Sequence, residues 1–176
     1  MRYLVTVSLA GLLSISASPA AAQDLAGSGS RIATDGVEFV TGLMDFDLSG
    51  TGKVAPFALR GSKSLTNRLA LEFGATMAWP DQQFGSSHLT LPEALLSYSW
   101  RLGRVRPFVS GGGGTMLVQT DLFENRWRPT FVGGGGARIQ LSDRVYAIGE
   151  MRLRGISRSF SGSTAEWLGG IGVSLR

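Results

Sequence analysis

Between Arg68 and Trp79 the chain alternates with a period of two. Leu69, Leu71, Phe73, Ala75, Met77 and Trp79 fall on one face, and Arg68, Ala70, Glu72, Gly74, Thr76 and Ala78 on the other. That predicts a strand of twelve residues, long beside the roughly 5–6 of an ordinary strand and close to the ~9–11 needed to cross a bilayer at a tilt. The pattern recurs. Pro92, Ala94, Leu96, Tyr98, Trp100 and Leu102 oppose Glu93, Ser97, Ser99 and Arg101. Phe131, Ala137, Ile139 and Leu141 oppose Thr130, Arg138, Gln140 and Ser142. Val145, Ala147, Met151 and Leu153 oppose Glu150, Arg152 and Arg154, and Trp167, Ile171, Val173 and Leu175 oppose Glu166, Ser174 and Arg176. With less regular segments at 37–48, 54–63 and 106–119, eight strands are predicted.

The connections alternate in length. Links at 80–89, 120–127 and 157–163 are long and polar, those at 64–67, 103–105 and 143–144 are tight, and 49–53 is intermediate. An all-β, antiparallel up-and-down barrel crossing a membrane has this asymmetry, with short turns on one side and longer loops on the other. Trp79, Trp127 and Trp167 are expected at the long-loop rim and Trp100 and Phe108 at the short-turn rim, as two aromatic girdles.

Charge content decides which face looks inward. Only 17% of the residues are charged, against about 25% in soluble domains, and a soluble ligand-binding barrel would carry those charges outside. The polar strand face instead holds opposite signs: Glu72, Glu93, Glu150 and Glu166 with Arg60, Arg101, Arg138, Arg152 and Arg154. Eight strands enclose a space that side chains just fill, so these residues are expected to form a lumenal ion-pair network. The alternatives are a small porin and a soluble periplasmic barrel with an apolar ligand pocket.

The N-terminus indicates export. A positive start, an uncharged apolar run from Tyr3 to Ala17, and small residues Ser18 to Ala22 read as a signal peptide over 1–22, cleaved after Ala22. Residues 23–35 form a Gly/Ser-containing flexible lead, and 36–176 the barrel. With no Cys and one His, thiolate and multi-histidine metal sites are excluded, and no cofactor is expected. Fifteen Arg and two Lys are dispersed singly, which gives no nucleic-acid patch.

The C-terminal run Gly170-Ile171-Gly172-Val173-Ser174-Leu175, taken with the eight-strand pattern, resembles the small eight-stranded outer-membrane barrel superfamily. That group contains the transmembrane domain of outer-membrane protein A, the OmpX-like proteins and the opacity-type adhesins. The resemblance implies localisation in the outer membrane of a Gram-negative-type bacterium. It also implies lipopolysaccharide and other outer-membrane lipids as surroundings, and a surface ligand engaged through the external loops. Gly170, Val173 and Leu175 match a signal read by the barrel-assembly machinery, although this chain ends Leu175-Arg176 where most members end on an aromatic residue.

Few motifs carry chemistry. The tetraglycines at 111–114 and 133–136 lack the Gly-Lys-Ser/Thr of a phosphate loop and read as wall packing; a hairpin about 120–127 would set Gly111 beside Gly136 and Gly114 beside Gly133. His88 is the only residue suited to base catalysis near neutral pH. Outer-membrane lipid A deacylases pair a His with a Ser two residues on, where this chain has Thr90, so the hydrolase reading is secondary and the chain is read as non-enzymatic. Asp45 and Asp47 read as a solvated rim, and Arg126, Arg128 and Arg158 as contacts for anionic headgroups.

Overall fold

A computed structural model of the chain describes residues 35–46, 52–79, 87–120, 123–156 and 162–175. The expected signal segment, positions 23–34 of the lead, Asp47, Arg158 and Arg176 lie outside these residues. Nine hydrogen-bonded segments are present: β1 (Gly36–Phe46), β2 (Gly52–Val54), β3 (Pro56–Ser64), β4 (Leu69–Ala78), β5 (Ser87–Ser99), β6 (Val105–Thr120), β7 (Phe123–Gln140), β8 (Val145–Ile156) and β9 (Gly162–Ser174). β2 and β3 pair with β1 in one unbroken register, Met44 opposite Val54 and Thr41 opposite Phe57, so they form a single span interrupted at Ala55. The break precedes Pro56, which has no N–H to give. The Thr41 hydroxyl donates to the Pro56 carbonyl at 2.9 Å beside it.

Eight antiparallel spans result, and β1 closes on β9 from Gly36–Ser174 through Phe46–Thr164. Closure removes the open edge that a sheet of this length would otherwise present along its wall. The stagger follows from the pairing. A path from Gly172 on β9 through Glu38, Arg60, Gly74, Glu93, Gly114, Thr130 and Ile156 returns to β9 at Gly162, ten residues further along (172 − 162). Ten residues at ~3.3 Å against eight strand spacings at ~4.8 Å tilt the strands by about 40°.

Alternation sorts the side chains. Phe39, Leu59, Phe73, Leu96, Phe131 and Ile171 face outward and are exposed, whereas Tyr146, Ile148, Glu150, Arg152, Arg154 and Ile156 of β8 all point into the lumen and are buried. The exposed wall is therefore apolar and the interior largely ionic, the reverse of a soluble barrel.

Two expectations about the β6–β7 hairpin are corrected. Positions 120–127 are not a loop, because β6 runs to Thr120 and β7 starts at Phe123, opposite it. As a result Gly111 faces Gly133 rather than Gly136, and Gly114 faces Thr130 rather than Gly133. The polar residues around Arg126 mark the end of the lipid-facing wall, not of the strands. Among the described residues β8 pairs with β7 as far as Ile156–Thr130, whereas β6 stays paired with β5 up to Thr120–Ser87, so the hairpin extends beyond the β8 side of the sheet while remaining part of it on the β5 side.

Candidate functional site

Five Glu and five Arg are buried in the described lumen: Glu38, Glu72, Glu93, Glu150 and Glu166 with Arg60, Arg106, Arg138, Arg152 and Arg154. Their formal charges cancel. Alternating positions on separate spans bring them together, since at eight strands the opposite wall is within one side-chain length of the centre.

Arg138 on β7 donates to Glu38 on β1 and to Glu72 on β4, each at 2.7 Å. Its guanidinium carbon lies 4.3 Å from the centroid of the Phe108 ring, a cation–π contact. The Tyr146 hydroxyl donates to the same Glu38 oxygen at 3.0 Å. Arg152 links Glu93 at 2.5 Å with Glu150 at 3.0 Å. Arg154 donates to Glu93 at 2.8 Å and to Glu166 at 2.7 Å. Arg60 meets Glu150 at 2.6 Å, and Arg106 donates to the Ser99 hydroxyl at 2.8 Å and the Asn67 carbonyl at 3.0 Å near the short-turn end. A buried charge left alone costs several kcal/mol, roughly, which is why the two signs occur in equal number.

Wall glycines accommodate this bulk. A Cβ at Gly74 would lie 2.8 Å from Arg60 Cγ, one at Gly134 would lie 3.0 Å from Arg152 Cγ, and one at Gly172 would run into the Tyr146 ring. The end of the bore away from the short turns is closed by an apolar cluster of Met44, Val54, Ala78, Leu89, Leu91, Met116 and Ile156. A second apolar group, Val40, Ala58, Phe108, Ile148 and Leu168, packs beside the ionic residues.

The structure groups eight of the nine residues expected in the lumen. The exception is Arg101, which is exposed in the turn after β5, and Arg106 occupies the interior in its place. Alternation counted through Trp100 fails there because β5 ends at Ser99. Phe108 is corrected too. It is 2% exposed and faces the lumen, so it belongs to no girdle. Trp167 is exposed but lies five residues inside β9, opposite Leu43 and Met151, within the apolar band rather than at a rim. Trp79, packed edge-on against Phe57, and Trp100, edge-on against Tyr98, sit just past the ends of β4 and β5, and Trp127 lies beyond the last residue pair of β7 with β8. At the seam, Gly170 pairs with Val40 and Ile148, Val173 pairs with Val37 and Val145, and the Leu175 N–H donates to the Asp35 carbonyl at 3.0 Å. Glu38, Arg106 and Tyr146 were absent from the expected set; only Tyr146 had a signal, its parity with Glu150, Arg152 and Arg154.

His88 pairs through its backbone with Gln119, and its side chain lies outside the described set. No group of metal-binding residues occurs among the described residues.

No protein-family model and no curated protein matches the chain. Solved structures do. Neisserial surface protein A aligns with a TM-score of 0.65 at 13% identity, over 80% of this chain and 95% of that one. The N-terminal β-barrel domain of Pseudomonas aeruginosa OprF aligns at 0.53 and 15% identity, over 80% and 97%. Ail, the attachment invasion locus protein of Yersinia pestis, aligns at 0.54 and 10% identity, over 78% and 94%. The chain has the fold of the small eight-stranded outer-membrane barrels. At these identities the likeness is one of architecture, and residue roles rest on the geometry above.

Proposed function

We propose that the protein resides in the outer membrane, that it is not an enzyme, and that it acts through what its long connections bind, with the barrel as a rigid support. The observation that carries this reading is the pairing of an apolar outer wall with a lumen filled by matched charges and capped by Met44, Leu91 and Met116. A wall of that kind suits lipid, and a filled bore leaves the outer connections as the surface available to a partner. The architectural neighbours include one named as a surface protein and one named for attachment and invasion, which supports the same reading. In this setting the barrel-assembly machinery reads Gly170, Val173 and Leu175, and the exposed Arg128 beyond the upper wall meets lipopolysaccharide phosphates. Glu93, the acidic residue nearest His88 in sequence, is committed to Arg152 and Arg154. Glu93 is thus not free to act with His88, and lipid A mass spectra should be the same with and without His88→Ala.

The test is fractionation of expressing cells followed by protease added to them intact. The chain should appear in the outer membrane and be cut within 80–86 or 157–161, with the turn at 141–144 protected. Recovery in the soluble periplasm would overturn the proposal.

A further inference from the structure

The three short turns share one construction. In each, a leucine N–H donates at 2.9 Å to the first residue of the following strand: Leu65 to Leu69, Leu102 to Val105, and Leu141 to Val145. In each, an arginine immediately precedes that strand, and its carbonyl accepts an N–H from the neighbouring span. Ser99 donates to Arg68 at 2.8 Å, Gln140 to Arg104 at 2.9 Å, and Ser174 to Arg144 at 2.7 Å. The backbone thus fixes a leucine and an arginine at equivalent places in all three turns. The end of β9 adds Leu175, tied to Asp35.

These leucines are unusually open for their type. Leu65, Leu102, Leu141 and Leu175 are 54%, 63%, 62% and 68% exposed. They continue the apolar wall to its lower margin, and the arginines stand beside them with Arg101. The described turn residues hold Arg68, Arg101, Arg104 and Arg144 against Asp143, a net charge of +3; Lys63 is neutralised by Asp35 at 2.9 Å. The opposite end differs. Its segments 45–53, 80–86, 121–128 and 157–161 contain five acidic and four basic residues, a net charge of −1.

We infer that the short-turn rim is a collar for anionic phospholipid, with the leucines in the acyl region and Arg68, Arg104 and Arg144 on the phosphates of the leaflet that these turns face. Guanidinium forks match phosphate oxygens, and a basic ring at a membrane surface attracts anionic headgroups within about a Debye length. The inference rests on the proposed membrane setting and goes further, naming the lipid class and the rim that selects it.

Trp100 reports on this rim directly: it lies two residues before Leu102, its ring 5.1 Å from that of Tyr98, whose hydroxyl accepts from Arg68 at 3.2 Å. The full chain carrying Trp79→Phe, Trp127→Phe and Trp167→Phe is refolded into phosphatidylcholine vesicles. These contain equal fractions of brominated phosphatidylglycerol or brominated phosphatidylcholine, and insertion is verified by heat-dependent gel mobility. The anionic lipid should quench Trp100 with an apparent affinity about threefold or more above the zwitterionic one at low salt. The preference should vanish near 1 M salt, where screening is complete within about 3 Å. Adding R68Q, R104Q and R144Q should abolish it as well; the salt titration stands alone where that variant refolds poorly. Equal quenching by the two lipids in a heat-modifiable barrel would overturn the collar and leave the membrane reading intact. A chain that never acquires heat-modifiability would overturn both.

Discussion

At the residue scale, the lumen behaves as a set of charges that only their partners make tolerable. Glu93 accepts from both Arg152 and Arg154, so Glu93→Gln leaves two buried guanidinium groups short of a counter-charge. Loss of about 3–5 kcal/mol is expected for breaking such a buried pair, measured by urea unfolding in lipid vesicles. Arg101→Gln, at an exposed turn position, should change stability by no more than about 0.5 kcal/mol. The contrast between the two checks which arginines lie inside. Most of the lumenal set was legible because Arg138, Arg152 and Arg154 alternate with plainly apolar neighbours in regular strands. Arg106 and Phe108 were not, because the glycines that follow carry no hydropathy to mark a face. Glu38 was hidden for another reason: it shares its lumenal side with the apolar Val40 and Met44, so its strand shows no clean polar face.

At the element scale, the two tetraglycines have alternating demands. A Cβ at Gly112, Gly114, Gly134 or Gly136 would collide with a carbonyl oxygen of the neighbouring strand, whereas at Gly133 it would meet nothing within 4 Å. The inward glycines are thus required by the close passage of the strands; of the outward ones, Gly135 is also constrained, a Cβ there falling 2.8 Å from the Phe108 carbonyl oxygen, while Gly133 is replaceable. Gly114→Ala and Gly136→Ala should each destabilise the barrel by more than about 1 kcal/mol or block its assembly. Gly133→Ala should refold with unchanged midpoint, as should Gly149→Ala, which also faces open space. Strand number and connection order were readable from periodicity alone. The β6–β7 register was not, since it depends on where the hairpin turns, and the polar residues around Thr120 and Arg126 read as a connection although both strands continue through them.

At the scale of the whole molecule, eight spans with a stagger of ten residues give a bore that side chains fill. The ionic groups and the apolar cap at Met44, Leu91 and Met116 block it in series. Planar bilayers containing the refolded chain should show no sizeable single-channel conductance, and steps of porin magnitude would mean that the bore opens. A closed barrel with its apolar face in lipid should resist denaturant. Gel mobility of the chain refolded in lipid, unboiled against boiled, tests this. A compact, faster-migrating unboiled species, recovered only with membranes or detergent, is expected. Identical mobility before and after boiling, from a protein soluble without detergent, would contradict it.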